Sequence, residues 1–227
     1  KDRELDASCW AGVDPAAWGP RIGADPELAL GLLVAAVRET FEEAGVLLAT
    51  RGGAPLAADD LADLSFVAAR ERLAARGSTW DWRPWLVEQD LVLDLGALTL
   101  WSWWVSPEGM PRVYDTRFFV LEAPPALVDG AGHDEVETTA SVWVRPQDAI
   151  DEALAGRMSV IFPTRKNLET LAGFATAAAA VADAAAAAAA APAVTAGERA
   201  AGNRAWAVTN LPREVNPASA AEARLAT

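Results

Sequence analysis

The sequence predicts an α/β fold, and four stretches carry that prediction. Residues 25–45 read as a long amphipathic helix with a start and a stop signal. Residues 91–95 and 97–105 read as extended or buried segments. Residues 112–121 read as a strand, rich in Val113, Tyr114, Phe118, Phe119 and Val120. The helix has the clearest grammar. Asp25 can cap it, Pro26 suits its first turn, and Gly45 can end it. Leu30, Leu33, Val34, Val37 and Phe41 recur at helical spacing and mark the face it should bury.

The remaining elements follow the same logic. Residues 1–23, rich in Gly, Pro and Asp, read as irregular structure without a strand-like run. Residues 59–76 read as one further helix ended by Gly77. Ser141 to Val144 suggest a short strand, and residues 148–155 a helix introduced by Pro146 and Gln147. Residues 163–174 form another helix, with Thr164 as its cap. From residue 175 to 193 the chain is nearly all alanine. Alanine favours the helix, but few large side chains are present to dock it, so a loosely held helix or linker is expected. Residues 204–227 form a tail with a short strand at residues 206–208. The expected organisation is a main domain over 1–174, an Ala-rich helix or linker over 175–203 and a tail over 204–227. The Ala-rich tract is expected to be dispensable to the work of that domain.

Composition removes several function classes. The 227 residues carry a formal charge of −13, which repels nucleic-acid backbones. Cys9 is the one cysteine and His133 the one histidine, so neither a disulfide nor a Cys/His zinc site can form within the chain. No G-x-S-x-G turn supplies a serine nucleophile. A metal held by this chain must rest on carboxylates, which suits a hard cation such as Mg²⁺ or Mn²⁺. No segment resembles a signal peptide or a membrane span, so a cytoplasmic protein without membrane or nucleic-acid partners is expected.

The informative segment is Arg38-Glu39-Thr40-Phe41-Glu42-Glu43-Ala44-Gly45-Val46. On a helix, Glu39, Glu42 and Glu43 share one arc, while Val37 and Phe41 point away from it. Like charges three and four residues apart destabilise a helix by about 0.2–0.5 kcal/mol each. Two of these glutamates also fall in the last turn, where the helix carbonyls are already negative, at a further cost of about 0.3–1 kcal/mol. Arg38 offsets part of this. A divalent cation would offset far more, whereas a merely solvated acidic helix end would leave the cost standing.

The string resembles the second half of the Nudix box, G-x₅-E-x₇-R-E-U-x-E-E-x-G-U, where U is bulky and aliphatic. Arg38, Glu39, Glu42, Glu43, Gly45 and Val46 match, and Thr40 departs from the first U. The first half does not match: its Gly falls on Ala24 and its Glu on Leu30, with Gly23 one residue out of register. An interrupted box accounts for this. It is a feature of a branch resembling the peroxisomal coenzyme A diphosphatases and their bacterial relatives. Asp6-Ala7-Ser8-Cys9-Trp10 and the stretch from Trp101 to Phe119 resemble that branch as well. On this resemblance a strand ending in F-P-G-G is expected upstream of Lys1, so the N-terminal strands of the fold are expected to be missing from this chain.

The resemblance implies a mixed sheet sandwiched between helices and a metal-dependent diphosphatase. Glu42 and Glu43 would bind Mg²⁺ or Mn²⁺. Glu39 would join the metal shell or position the attacking water, and Arg38 would orient a neighbouring glutamate. A further acid is expected from His133-Asp134-Glu135-Val136-Glu137, with Glu137 preferred over Glu135, although a solvated acidic loop explains these residues equally well. Trp101, Trp103 and Tyr114 are open to two readings, stacking on a nucleobase or ordinary core. Arg117 is open to pairing with a phosphate or with Asp115, and His133 reads as a loop histidine. The substrate implied is a small nucleoside-diphosphate compound, with coenzyme A or an acyl-CoA preferred. The rivals are a non-catalytic nucleotide-binding module and a hydrolase of ADP-ribose or dinucleoside polyphosphates.

Overall fold

A computed structural model of the chain describes residues 2–106, 112–123, 127, 131–132 and 142–190, and the backbone of 207–208. Within these the architecture is mixed α/β, as expected, with two compact units. The first comprises residues 1–19, 24–98 and 122–142, and the second residues 20–23, 99–121 and 143–227.

The first unit is organised by a four-stranded mixed sheet. Strands β1 (Trp10–Ala11), β2 (Ala49–Arg51), β3 (Ala54–Pro55) and β4 (Leu91–Asp94) lie in the order β1-β4-β2-β3. β1 runs parallel to β4, and the other pairings are antiparallel. Gly52 and Gly53, at φ 57° and 79°, form the two-residue connection of the β2–β3 hairpin. That turn needs two left-handed residues, which glycine supplies without strain. Leu91 and Leu93 point inward from β4 while their neighbours are half-buried, the alternation of a strand packed on one face.

The long helix, α2 (Pro26–Ala44), follows its sequence grammar closely. The Asp25 carboxylate accepts from the Leu28 N–H at 2.8 Å, and Gly45 adopts φ 71° at the other end. All five residues expected to face the core are buried. Phe41 meets Phe66 edge-on at 6.5 Å and stacks on Trp85 at 6.1 Å, while Phe66 meets Trp85 at 5.0 Å. Full burial of a side chain such as Phe41 contributes about 1.5–3 kcal/mol, so this aromatic cluster fixes α2 firmly in place.

Two sequence expectations in this unit need correction. The stretch expected to form one helix over 59–76 is two, α3 (Ala58–Ala62) and α4 (Leu64–Ala74). Asp63 separates them with ψ 140°, and its carboxylate accepts from the Ser65 N–H at 2.8 Å. That local bond starts a new helix instead of continuing the old one. Residues 1–23 are also more regular than expected. They hold β1 and helix α1 (Pro15–Ile22), capped where Asp14 accepts from the Ala16 N–H at 3.0 Å. Gly19 and Pro20 inside α1 hid its helical signal, and a two-residue strand has no readable period.

The second unit is built on β5 (Thr99–Val105), flanked by β6 (Asp115–Val120) and β7 (Ala207–Val208) in antiparallel pairings. β6 is shorter than the strand expected over 112–121. Just before it the Ser106 N–H donates to the Tyr114 carbonyl at 2.8 Å, while the Tyr114 N–H turns to the Ser106 hydroxyl at 3.0 Å, so only half of the next backbone pair forms. The other described α-helices are α5 (Arg83–Glu88, in the first unit), α6 (Pro146–Leu154), α7 (Phe162–Leu171) and α8 (Ala177–Ala190). α7 begins at Phe162, with no side-chain cap, so Thr164 lies inside the helix and does not cap it. The Ser102 hydroxyl on β5 donates to the Asn167 amide oxygen on α7 at 2.8 Å.

The alanine tract forms α8 with one buried face. Ala180, Ala184 and Ala188 recur every fourth residue, and Ala180 and Ala184 pack with Trp101, Phe118, Val120, Leu171 and Phe174. The large side chains at this contact come from the partners, which is why the tract alone looked unable to dock. Residues 142–144, expected to finish a strand begun at Ser141, form no strand among the described residues, and Trp143 is exposed. No helix among the described residues is long and apolar enough to cross a membrane.

Candidate functional site

The acidic turn of α2 faces the end of α4. Arg38, Glu39, Glu42 and Glu43 line one side of a cleft of about 280 Å³, and the run from Leu73 to Ser78, including Arg76, lines the other. The spacing that the sequence put on one helical arc therefore opens onto a single cavity. Glu39 and Glu43 are exposed, and Glu42 is partly buried.

Arg38 organises the cluster. Its side chain is 13% exposed, and it donates from Nη1 to the Glu42 carboxylate and from Nη2 to the Glu39 carboxylate at 2.6 Å. Its Nε reaches Asp2 at 3.2 Å. Burial works against the guanidinium charge, but the hydrogen bond to Glu42 and the charges of Asp2, Glu39 and Glu42 outweigh it. The Arg38 pKa is therefore raised above its ordinary value, and the group stays cationic. One guanidinium faces three carboxylates here, with Glu43 beside them, so the site keeps an excess of negative charge. Asp2 was not singled out in the sequence, because 36 residues separate it from Arg38.

Thr40, the one departure from the box pattern, donates its hydroxyl to the Ala36 carbonyl at 2.8 Å. Its polar atom is thereby satisfied along the helix, so a hydroxyl residue is accommodated where a bulky aliphatic one is usual.

The end of α2 is held by a residue that sequence reasoning missed. Arg70, on α4, donates from Nε to the Glu42 carbonyl and from Nη2 to the Glu43 carbonyl, both at 3.0 Å. Nη2 also reaches the carbonyl of Gly132, whose N–H donates back to the Ala44 carbonyl at 2.9 Å. The orphan carbonyls of the last turn are thus satisfied by a cation, the charge that a helix C-terminus favours. Gly45 makes room for it: a Cβ there would meet Arg70 Nη1 at 3.0 Å, and φ 71° disfavours a side chain in any case.

An all-oxygen donor set on one wall of a cleft suits a hard divalent cation. Among the described residues, no three His, Cys, Asp or Glu side chains converge into a ready cage, because Arg38 draws two of the glutamates to itself. Glu137, Glu135 and His133 lie outside the described residues. Trp101 and Trp103 are 6% and 3% exposed, so both belong to the core and neither presents a face for stacking. Arg117 lies over Trp103 at 4.1 Å, pairs with Asp115 at 2.7 Å and donates from Nη2 to the Ile22 carbonyl at 3.0 Å, a structural set of bonds. Tyr114 is exposed.

The model of the NUDT19 Nudix domain matches residues 24–168 of the chain. The acyl-coenzyme A diphosphatase NUDT19 of Gallus gallus is 34% identical over 135 residues, covering 52% of this chain and 34% of its own length. The Homo sapiens protein of the same name is 32% identical over 156 residues, covering 63% and 39%. The chain thus spans well under half the length of these relatives. The crystal structure of a NUDIX hydrolase from Alicyclobacillus acidocaldarius superposes with a TM-score of 0.47 at 25% identity, covering 76% of this chain and 77% of that one. With more than half of its residues matched by the family model, and the R-E-x-x-E-E string placed on one capped helix end, the chain belongs to the NUDT19 Nudix domain family.

Proposed function

We propose that the chain hydrolyses a diphosphate linkage in coenzyme A or an acyl-CoA, with a divalent cation, Mg²⁺ or Mn²⁺, held at the end of α2. The observation that carries this reading is the convergence of Arg38, Glu39, Glu42 and Glu43 on one cleft. The names of the related proteins supply the substrate class.

Glu42 and Glu43 would hold the cation, with Glu39 joining them or positioning the attacking water. Glu137, proposed from sequence alone, would complete the set. When bound, the cation supplies charge neutralisation of the phosphate oxygens and a lowered pKa for a bound water. Arg38 fixes the direction of the Glu39 and Glu42 carboxylates through charge-assisted hydrogen bonds. Arg76, which lines the other side of the cleft, would meet an anionic group of the substrate. The proposed setting is cytoplasmic, consistent with the one cysteine, Cys9, being free and buried.

The test is a product screen. The chain is incubated with Mg²⁺ or Mn²⁺ and with coenzyme A, ADP-ribose, NADH and Ap₄A, and the products are identified by mass. Cleavage of coenzyme A to its 4′-phosphopantetheine and adenosine 3′,5′-bisphosphate halves, abolished in Glu42→Gln, supports the reading. Preferential cleavage of ADP-ribose or Ap₄A would reassign the substrate. Binding of these compounds without cleavage by any metal form would make the chain a nucleotide-binding module.

A further inference from the structure

We infer that Arg70 is a positioning residue for the metal-binding turn: its guanidinium fork fixes the backbone from which Glu42 and Glu43 project, and ties that turn to Gly132. The inference rests on the reading of these two glutamates as metal ligands.

The argument is one of geometry and charge. A helix that ends in two glutamates is destabilised there twice, by their mutual repulsion and by the negative end of the helix dipole. Arg70 opposes both effects at once. Nε and Nη2 engage the carbonyls of the two residues that carry the carboxylates, each at 3.0 Å. The same Nη2 holds the Gly132 carbonyl, and the Gly132 N–H returns to Ala44. The turn is thereby closed from both sides, by α4 and by residue 132. Each of these bonds is made to a backbone carbonyl of the turn or of Gly132, not to a carboxylate oxygen. Arg38 acts differently, since it binds the carboxylates themselves.

Only a planar fork does this. A lysine ammonium is a point charge on a flexible stem and cannot reproduce a fork spanning three carbonyls. Gly45 reinforces the assignment, because a side chain there would press on Arg70.

The experiment compares the full chain with Arg70→Gln, Arg70→Lys and, as a control on the same unit, Arg51→Gln. Arg51 bonds Asp60 and the Gln89 carbonyl, and neither partner belongs to α2. Mn²⁺ affinity is read by electron paramagnetic resonance, well below each melting temperature, and amide exchange is followed along residues 39–46. The expected result is a loss of Mn²⁺ affinity of about tenfold in Arg70→Gln, with faster exchange confined to the end of α2. Arg70→Lys should recover less than half of that loss, and Arg51→Gln should bind Mn²⁺ like the parent chain. If the parent binds Mn²⁺ and Arg70→Gln binds it equally well, the positioning role is overturned while the metal site stands. An equal loss in Arg51→Gln, or full recovery in Arg70→Lys, overturns it as well. If the parent binds no Mn²⁺, or binds it as well as Glu42→Gln does, the metal reading itself fails and takes the positioning role with it.

Discussion

Arg38 donates to the carboxylate of Glu42 one helical turn away, and the two side chains are equally shielded, at 13% exposure each. A pair this shielded contributes little net stability when intact, but removing one partner strands the other. Replacing Arg38 by Met should therefore destabilise the metal-free chain by about 2 kcal/mol. Added Mn²⁺ should restore part of this, because a cation replaces the lost positive charge. Melting curves with EDTA and with Mn²⁺ check this. An equal loss in both conditions would mean that no cation reaches Glu42.

Glu42→Gln should behave in the opposite sense. Arg38 retains Asp2 and Glu39, so the metal-free chain should lose only about 1 kcal/mol. The stabilisation by Mn²⁺, about 2.7 kcal/mol at a hundredfold excess over Kd, should shrink sharply. Thermal shift titrations separate the two effects.

Gly45→Ala should cost about 1–2 kcal/mol, since φ 71° is left-handed and a Cβ there would press on Arg70. It should also weaken Mn²⁺ binding, whereas Gly156→Ala, also at positive φ with open space around it but outside the cleft lining, should cost stability alone. Equal Mn²⁺ affinities in the two variants would uncouple the helix cap from the metal site.

The alanine helix offers a matched pair. Ala184→Asp places a charge against Trp101 and should destabilise by about 2–4 kcal/mol. Ala185→Asp, on the exposed face, should change stability by less than about 0.5 kcal/mol. Chemical denaturation followed by tryptophan fluorescence reads both. Similar values for the two would mean that α8 does not pack on Trp101 in solution.

Sequence reasoning succeeded where the determining interactions are local. Asp25, the stripe from Leu30 to Phe41 and Gly45 are all read within one helix, and the structure uses each as its chemistry suggests. It failed where the partner is distant. Arg70 lies 28 residues from Glu42 and looks, in sequence, like any polar helix residue. The one available hint was a helix ending in two acids, which calls for a cation from elsewhere. The docking of α8 was illegible for a related reason: the tract supplies only a smooth face, and Trp101 and Phe174 supply the bulk. The break at Asp63 was hidden because an aspartate reads as an acceptable helix residue until its carboxylate turns back on the Ser65 N–H.

Because α2 is pinned at Asp25 and again at Gly45 and Arg70, its nineteen residues have a fixed rotational phase. One extra residue between Asp25 and Arg38 would advance the far end by about 100°. Phe41 would then take the angular place of Glu42 on the cleft, and Glu43 would turn toward the buried face. Side chains on this helix can vary within their faces, but its length cannot. The Gly52–Gly53 connection is the reverse case. Nothing lies within 4 Å of a Cβ at either position, so lineages of this family should add and lose residues at that hairpin while the count from Asp25 to Gly45 stays constant.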